Sequence, residues 1–475
     1  MTPDTSPDLS SKRAPLPAPP AAPSAAAIPC AAAPSAATAT STATATATST
    51  ATEAAHKVIA PDIAPATEAG RPDAAGRPDA AGSPDAAGRG PSTGRLVGID
   101  LARGLAVFGM YAAHVGPDPA VGGPLGFVME LARGRSSALF ALLAGFTLVL
   151  ITGRPHPRTG RAGRQAVARM VIRSLVLIAL GFALTALDTE VDVILAFYGL
   201  TFLAVLPLYR LRARTLALLA AAGAFVMPQV LYVTRLSIEE GSWADTVVAW
   251  DPLARLGDTD GFMELLFTGE YPVLTWMSFM LVGMAVARLD LTRNAVRTQL
   301  VLTGGALAVL GYGGSWLALR LVPHARASVA AATDGDSGAS AWWSDTVGYI
   351  VDDTPAAWLL VGAPHSQTTF SILGNTGVAL LVVVLCVTAT DRLPRFRRLA
   401  TPVRAVGMTA LTAYVLHILA IREFGMADET GPALVDLLVH SLVAMLLATA
   451  WTRWFRRGPL EQLLHLSTRP ARSLR

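Results

Sequence analysis

Residues 98–118 read GIDLARGLAVFGMYAAHVGPD, and the fold turns on how this stretch is understood. Its middle is apolar, and the whole is long enough to cross a hydrocarbon core of about 30 Å as a helix rising 1.5 Å per residue. Yet it opens on Asp100 and Arg103, one helical turn apart, and closes on His114 beside a Gly-Pro breaker. Ionisable groups inside a bilayer are costly and turn towards a protein interior or a wet cavity. They therefore mark where chemistry is to be sought.

The rest of the chain supports the membrane reading. Of its 475 residues 52% are hydrophobic and only 15% charged, with a mean hydropathy of +0.46, whereas soluble proteins carry about a quarter of charged residues. From Arg95 onward ten apolar segments follow, near 98–116, 134–152, 170–187, 192–209, 213–235, 271–289, 299–321, 369–390, 403–422 and 432–454. The expected fold is an all-α membrane protein of about ten transmembrane helices.

Charge alternates between the connecting loops. Residues 153–173 carry six Arg and no acid, 210–214 three Arg, 288–297 three Arg against one Asp, and 391–404 five Arg against one Asp. The loops between them are acidic: DTEVD at 188–192, eight acids against one Arg over 239–270, five against one over 326–353, and REFGMADE at 422–429. Basic loops stay in the cytoplasm, which places both termini there and predicts a multi-pass protein of the plasma membrane. The arginines so concentrated orient a chain in the lipid bilayer and are no evidence for nucleic acid.

Residues 1–94 are rich in Ala, Pro, Thr and Ser and contain the repeat GRPDAA, GRPDAA, GSPDAA. Such a segment buries too little apolar surface to offset its ordering entropy and is expected to be disordered. It also lacks the charge and apolar pattern of a signal peptide. The expected organisation is this tail, a membrane domain over 95–457, and a basic cytoplasmic C-terminal tail over 458–475. Cys30 and Cys386 neither staple the fold nor have metal-ligand spacing, so no metal is expected. Walker A, HExxH, GxSxG and CxxC patterns are absent, leaving ATP-driven transport, zinc proteolysis and serine hydrolysis without support.

With the orientation set, each polar group acquires a depth. Asp100 and Arg103 fall at the cytoplasmic start of the first segment and His114 at its outer end. Glu130, Arg133 and Arg135 belong to the outer start of the second, and Asn375 to the outer half of the eighth. Tyr414 and His417 lie one turn apart in the outer half of the ninth, and Asp436 and His440, spaced i, i+4, in that of the tenth. Each has a structural reading too. Asp100 and Arg103 can be an interfacial pair, Arg133 and Arg135 interface anchors, Tyr414 and His417 packing residues, and Asp436 and His440 an interhelical hydrogen bond. Trp342 and Trp343 can anchor the interface or stack on a sugar. His114 stands out because an imidazole takes or gives a proton near neutral pH.

Two runs carry a resemblance. GRLVGIDLARGLAVFGMYAAH at 94–114 followed by GRSSALFALLAGFTLVL at 134–150 resembles the opening of the heparan-alpha-glucosaminide N-acetyltransferase-like family, which begins with an Asp-x-x-Arg-Gly pattern. AVGMTALTAYVLHIL at 405–419 and WTRWFRRGPLEQLLHLST at 451–468 resemble the end of YeiB-like bacterial membrane proteins. The first resemblance implies acetyl transfer from cytosolic acetyl-CoA, or another acyl-CoA, to a sugar amine across the membrane. It also implies an asparagine near the outer end of the first span and a catalytic histidine in the next loop. Here His114 occupies the asparagine position, and the loop from Val115 to Arg133 has no histidine. In the second, Gly407-Met408 and Thr412-Ala413-Tyr414 stand where Gly-Arg and Thr-Asn-Tyr are expected.

Three functions are compatible with these features. In a membrane acyltransferase His114 would be the general base, Arg133 or Arg135 would steady charge on the thioester oxygen, and the acceptor would be a glycan or envelope component. In a transporter or exporter Asp436, His440 and His417 would form a proton or substrate path. In a non-catalytic scaffold the charges would be anchors. The acyltransferase is the leading reading.

Overall fold

The computed structural model describes residues 97–189, 191–241, 243–255, 260–333, 337–347, 354–424 and 432–474. The low-complexity segment expected over 1–94 and parts of the acidic loops lie outside the described residues. Among the described residues every regular element is helical and none is a strand, as the long apolar segments require.

The helices run α1 (Val97–Val115), α2 (Gly123–Ala132), α3 (Arg135–Thr152), α4 (Gly160–Thr185), α5 (Ile194–Val205), α6 (Ala213–Glu240), α7 (Trp243–Trp250), α8 (Val273–Ala287) and α9 (Asn294–Ala308). They continue with α10 (Gly314–Leu321), α11 (Ala325–Ala331), α12 (Thr369–Arg392), α13 (Pro394–Leu399), α14 (Thr401–Met408), α15 (Ala410–Phe424), α16 (Ala433–Trp454) and α17 (Pro459–Ser467). Each of the ten apolar segments falls on one or more of these. Six candidate spans among the described residues are long and apolar enough on their own: α2 with α3, α4, α6, α9 through α10, α12 and α16. Shorter apolar helices occupy Ile194–Arg210 and Val273–Ala287.

The ninth segment departs from the expected single helix. α14 and α15 meet at an angle of 86°, with Thr409 at the joint. The break leaves the first N–H groups of α15 needing acceptors, and α17 supplies one. Glu461 accepts from Leu411 N at 2.7 Å and Thr412 N at 3.3 Å through Oε1, and from the Thr412 hydroxyl at 2.7 Å through Oε2. Leu460 N donates back to Thr412 Oγ1 at 3.1 Å. The Gly-Pro-Leu-Glu run is thus a clasp on the broken span. A side chain on Gly458 would collide with Glu461 and Thr412. The segment after Gly458 is accordingly folded, with Leu464 buried.

α3 and α12 are mostly buried and α16 is almost entirely peripheral. α3 packs against α8, α1 and α12. At its crossing with α8 a Cβ on Gly283 would fall on the carbonyl oxygen of Leu142, and one on Gly145 on that of Met280. Small residues at such crossings let backbones touch, which is how membrane helices gain packing energy where water supplies none. The loop before α12 builds a small core of its own, with Leu319, Val329, Val361 and the fully buried Trp358. Trp358 Nε1 donates to Ser366 O at 2.9 Å, fixing the loop's last turn.

Replacing Glu461 with Ala strips the cap from α15 and should cost about 1–3 kcal/mol. A lowered unfolding midpoint in detergent, partly restored by Glu461→Gln, is the expected result. An unchanged midpoint would mean that the clasp contributes nothing.

Candidate functional site

α1 ends at His114, and its Nδ1 lies 3.2 Å from Nε2 of His417 on α15. The two rings are nearly parallel, inclined by 11° with centres 5.3 Å apart, the separation of imidazoles joined edge to edge through their nitrogens. One nitrogen must bring a proton and the other a lone pair, so the pair shares a single proton across this contact. His417 is buried. A face of its ring stacks on Tyr111 at 4.2 Å, and Tyr111 is held by donating its hydroxyl proton to Ala413 O at 2.9 Å. The ring of His440 on α16 meets His417 edge-on at 5.6 Å. His440 Nδ1 lies 2.9 Å from the carbonyl oxygen of Asp436, which can only accept, so Nδ1 carries a proton. The i, i+4 contact therefore uses the Asp436 backbone.

A second polar group is assembled by the start of α3. Gly134 links α2 to α3 with φ of 63°, a conformation that disfavours any side chain. A Cβ there would also collide with Pro364 and His365. The next residue, Arg135, is buried. It donates through Nη1 to Glu130 O at 2.9 Å, through Nε to Tyr312 Oη at 3.0 Å and through Nη2 to Trp343 O. Tyr312 sits in a π-helical turn at Val309–Gly313 between α9 and α10. It passes its proton to Asn375 Oδ1 at 2.8 Å, and Asn375 Nδ2 donates to Ser371 Oγ at 3.1 Å. The buried Glu130 accepts from Asp345 N at 2.6 Å. Arg133 lies outside this network, 3.4 Å from the exposed Asp118.

The third group was not legible in the sequence. His365 and Gln367, on either side of Ser366, both have positive φ, 62° and 59°. Each such residue costs of order 1–3 kcal/mol and persists only where its surroundings hold it. Gln367 Oε1 accepts from Thr275 Oγ1 at 2.7 Å and Trp276 Nε1 at 3.1 Å, and its Nε2 donates to Glu270 O at 2.9 Å. His365 lies 3.3 Å from Glu270 Oε2 and packs against Tyr271 and Trp276. Burial opposes its protonation, but the Glu270 carboxylate and the nearby Asp345 outweigh that and hold its pKa above the ordinary imidazole value. His365 is also close enough to His114 and Asp192 for their charges to interact.

The remaining expected residues sit elsewhere. Tyr414 accepts from Ile194 N at 3.3 Å, tying α15 to α5. Asp100 and Arg103 occupy the far end of α1, about 21 Å and about 16 Å from His114 at 1.5 Å per residue. They pair at 3.3 Å, and Arg103 also donates to Thr147 Oγ1 at 3.0 Å. Asp100 is buried, and a Cβ on Gly407 would fall on its carbonyl oxygen. This pair is a joint between α1, α3 and α14. Among the described residues no group of three metal-ligating side chains could hold an ion.

Residues 95–316 match the family described as heparan-alpha-glucosaminide N-acetyltransferase, catalytic. Residues 341–470 match the family described as protein of unknown function, DUF418, which is the YeiB-like resemblance. The likeness read from the two ends of the membrane region is borne out. No curated protein matches the chain. The two matched regions meet at the site. His114, Glu130, Arg135, Glu270 and Tyr312 come from the first, and their partners His417, Asp345, Trp343, His365 and Asn375 from the second.

Because His365 is raised in the folded protein, its pairing stabilises fully below about pH 6.5, the unfolded value. That stability is lost as pH rises through the higher folded value. Unfolding midpoints followed upward from about pH 6 should fall in a way that His365→Gln abolishes. Parallel profiles for the two proteins would remove the Glu270 pairing from this account.

Proposed function

We propose that this heparan-alpha-glucosaminide N-acetyltransferase-like membrane protein moves an acetyl or other acyl group from cytosolic acyl-CoA to a sugar or envelope acceptor beyond the bilayer. The observation that carries the reading is the meeting of His114 with His417, whose ring in turn meets His440, at one end of the helices. The arrangement in the membrane is part of the proposal. Ten crossings, including the shorter α1, α5 and α8 and the bent α14–α15 pair, put both termini in the cytoplasm of a plasma-membrane protein. The alternation of arginine-rich and acidic loops supports it.

In this reading His114 donates its Nδ1 proton to His417 and keeps a lone pair on Nε2. That lone pair accepts the proton of an acceptor hydroxyl or amine as its heteroatom bonds to the thioester carbonyl carbon. The carbon–sulfur bond then breaks, and the leaving thiolate takes the proton from His114. The carbonyl oxygen carries negative charge between these events. His365, whose protonated form Glu270 favours, is suited to stabilise it, since preorganised charge in a water-poor site is worth more than in solution. Arg135, with all three nitrogens engaged, holds the loop carrying Trp343 and Asp345 over the site. Arg133 closes the Asp118 turn.

The test uses membranes containing the full chain, labelled acetyl-CoA, and amino-sugar or envelope acceptors. His114→Ala should reduce transfer by about 10²- to 10⁴-fold, the usual worth of a general base. Undiminished transfer would exclude His114 as the base. Failure of the wild type to transfer to any acceptor would overturn the acyltransferase reading in favour of a transporter or scaffold.

A further inference from the structure

Between α15 and α16 lies a space that the chemistry above touches only where His417, Tyr111 and His440 form part of its wall. It is a cleft of about 370 Å³ that runs from Trp451 and Pro459 past His417 and His440 to Phe424. Along α16 the distance from His440 to Trp451 is about 16 Å at 1.5 Å per residue. The walls between are carbon, formed by Leu416, Ala420, Val443, Ala444 and Leu447. Leu416, Val443 and Leu447 are themselves exposed, at 48%, 47% and 56%, so the cleft is open along its side.

At its far end the cleft joins a basic pocket. Trp451 and Pro459 line both, and the second is completed by Phe455, Arg456, Arg457 and Gln462. This mouth is built: Trp451 stacks on Phe455 at 4.4 Å and its Nε1 donates to Arg457 O at 2.7 Å. Neither Arg456 nor Arg457 forms an ion pair among the described residues. An apolar slot, open to the side and ending on two unpaired cations, complements an amphiphile with an anionic head.

We propose that the slot between α15 and α16 holds one acyl chain of an anionic phospholipid, with its phosphate on Arg456 and Arg457 and its chain running towards His417 and His440. The charge complementarity at the mouth selects the head, because guanidinium groups engage phosphate through paired N–H donors. The walls select the tail. A pantetheine arm carries amides that need hydrogen-bond partners, and here the nearby hydroxyls are already committed, Thr412 to Glu461 and Thr409 to Ala405 O. A hydrocarbon chain needs none, and the open side lets it enter from the bilayer. Once seated, its end covers His417 and His440 on the side away from α1, so a lipid completes the wall of the histidine group. This assignment concerns a different ligand from acyl transfer and stands without it.

The full chain, purified in a neutral detergent, would be mixed with phosphatidylglycerol or phosphatidylcholine of equal chain length, and retained lipid counted by native mass spectrometry. Wild type should retain phosphatidylglycerol about tenfold better, as expected for charge-assisted contacts. The double variant Arg456→Gln, Arg457→Gln should lose that preference while remaining folded, since both side chains are exposed. Ala444→Trp should fill the slot and reduce retention of both lipids. Leu438→Trp, on an outward position of α16 that is 59% exposed, should not. Equal retention of both lipids by wild type, or of phosphatidylglycerol by wild type and the arginine variant, would overturn the proposal. So would retention undiminished by Ala444→Trp, or tighter binding of palmitoyl-CoA than of phosphatidylglycerol.

Discussion

The arrangement depends on one contact, the 3.2 Å hydrogen bond between the imidazoles of His114 and His417. Two such rings can share one proton but cannot both be cationic at that distance without strong repulsion. The contact therefore fixes a group that exchanges a single proton. It also joins the two matched regions, since His114 ends the first helix of one and His417 lies within the other. The same seam is crossed by Arg135 with Trp343, Tyr312 with Asn375, Glu130 with Asp345, and Glu270 with His365. Neither region alone holds a complete set of partners.

The scaffold explains why the rings meet where they do. α1 is held at its other end by the Asp100–Arg103 pair, which is wedged between α3 and α14 because Gly407 lets the backbones touch. The 86° bend at Thr409 then redirects α15 along a new axis, and Glu461 caps the N–H groups at its start. Without the bend a straight helix continuing α14 would carry His417 elsewhere. On the opposite flank the turn at Gly134 admits Pro364 and His365 into space that any side chain would occupy. The loop before α12 has its own small core, and so can hold His365 and Gln367 at positive φ.

Much of this was legible in the sequence. Apolar segment length gave the helices, and the rarity of charge within them drew attention to His114, His417 and His440, which the structure brings together. The Gly-Pro-Leu-Glu run was recognisable, although its role as a helix clasp was not. Three things were hidden. The bend at Thr409 has no proline or glycine at the joint to announce it, and its stabilising partner Glu461 is remote in sequence. Arg135 was equally compatible with an interface anchor, because nothing local reveals Tyr312 and Trp343 as acceptors. His365 and Glu270 lie in separate loops, and only tertiary packing converts them into a pair.

The proposed chemistry requires His114 and His417 to act as one proton-exchanging unit. A double-mutant cycle on acyl transfer, with His114→Ala, His417→Ala and the double variant, tests it most directly, because residues that act as a unit are strongly non-additive. Each single variant should lose most of kcat/KM, and the double variant should fall little further than the worse of the two. Losses that multiply, or a His417→Ala enzyme as active as wild type, would contradict it.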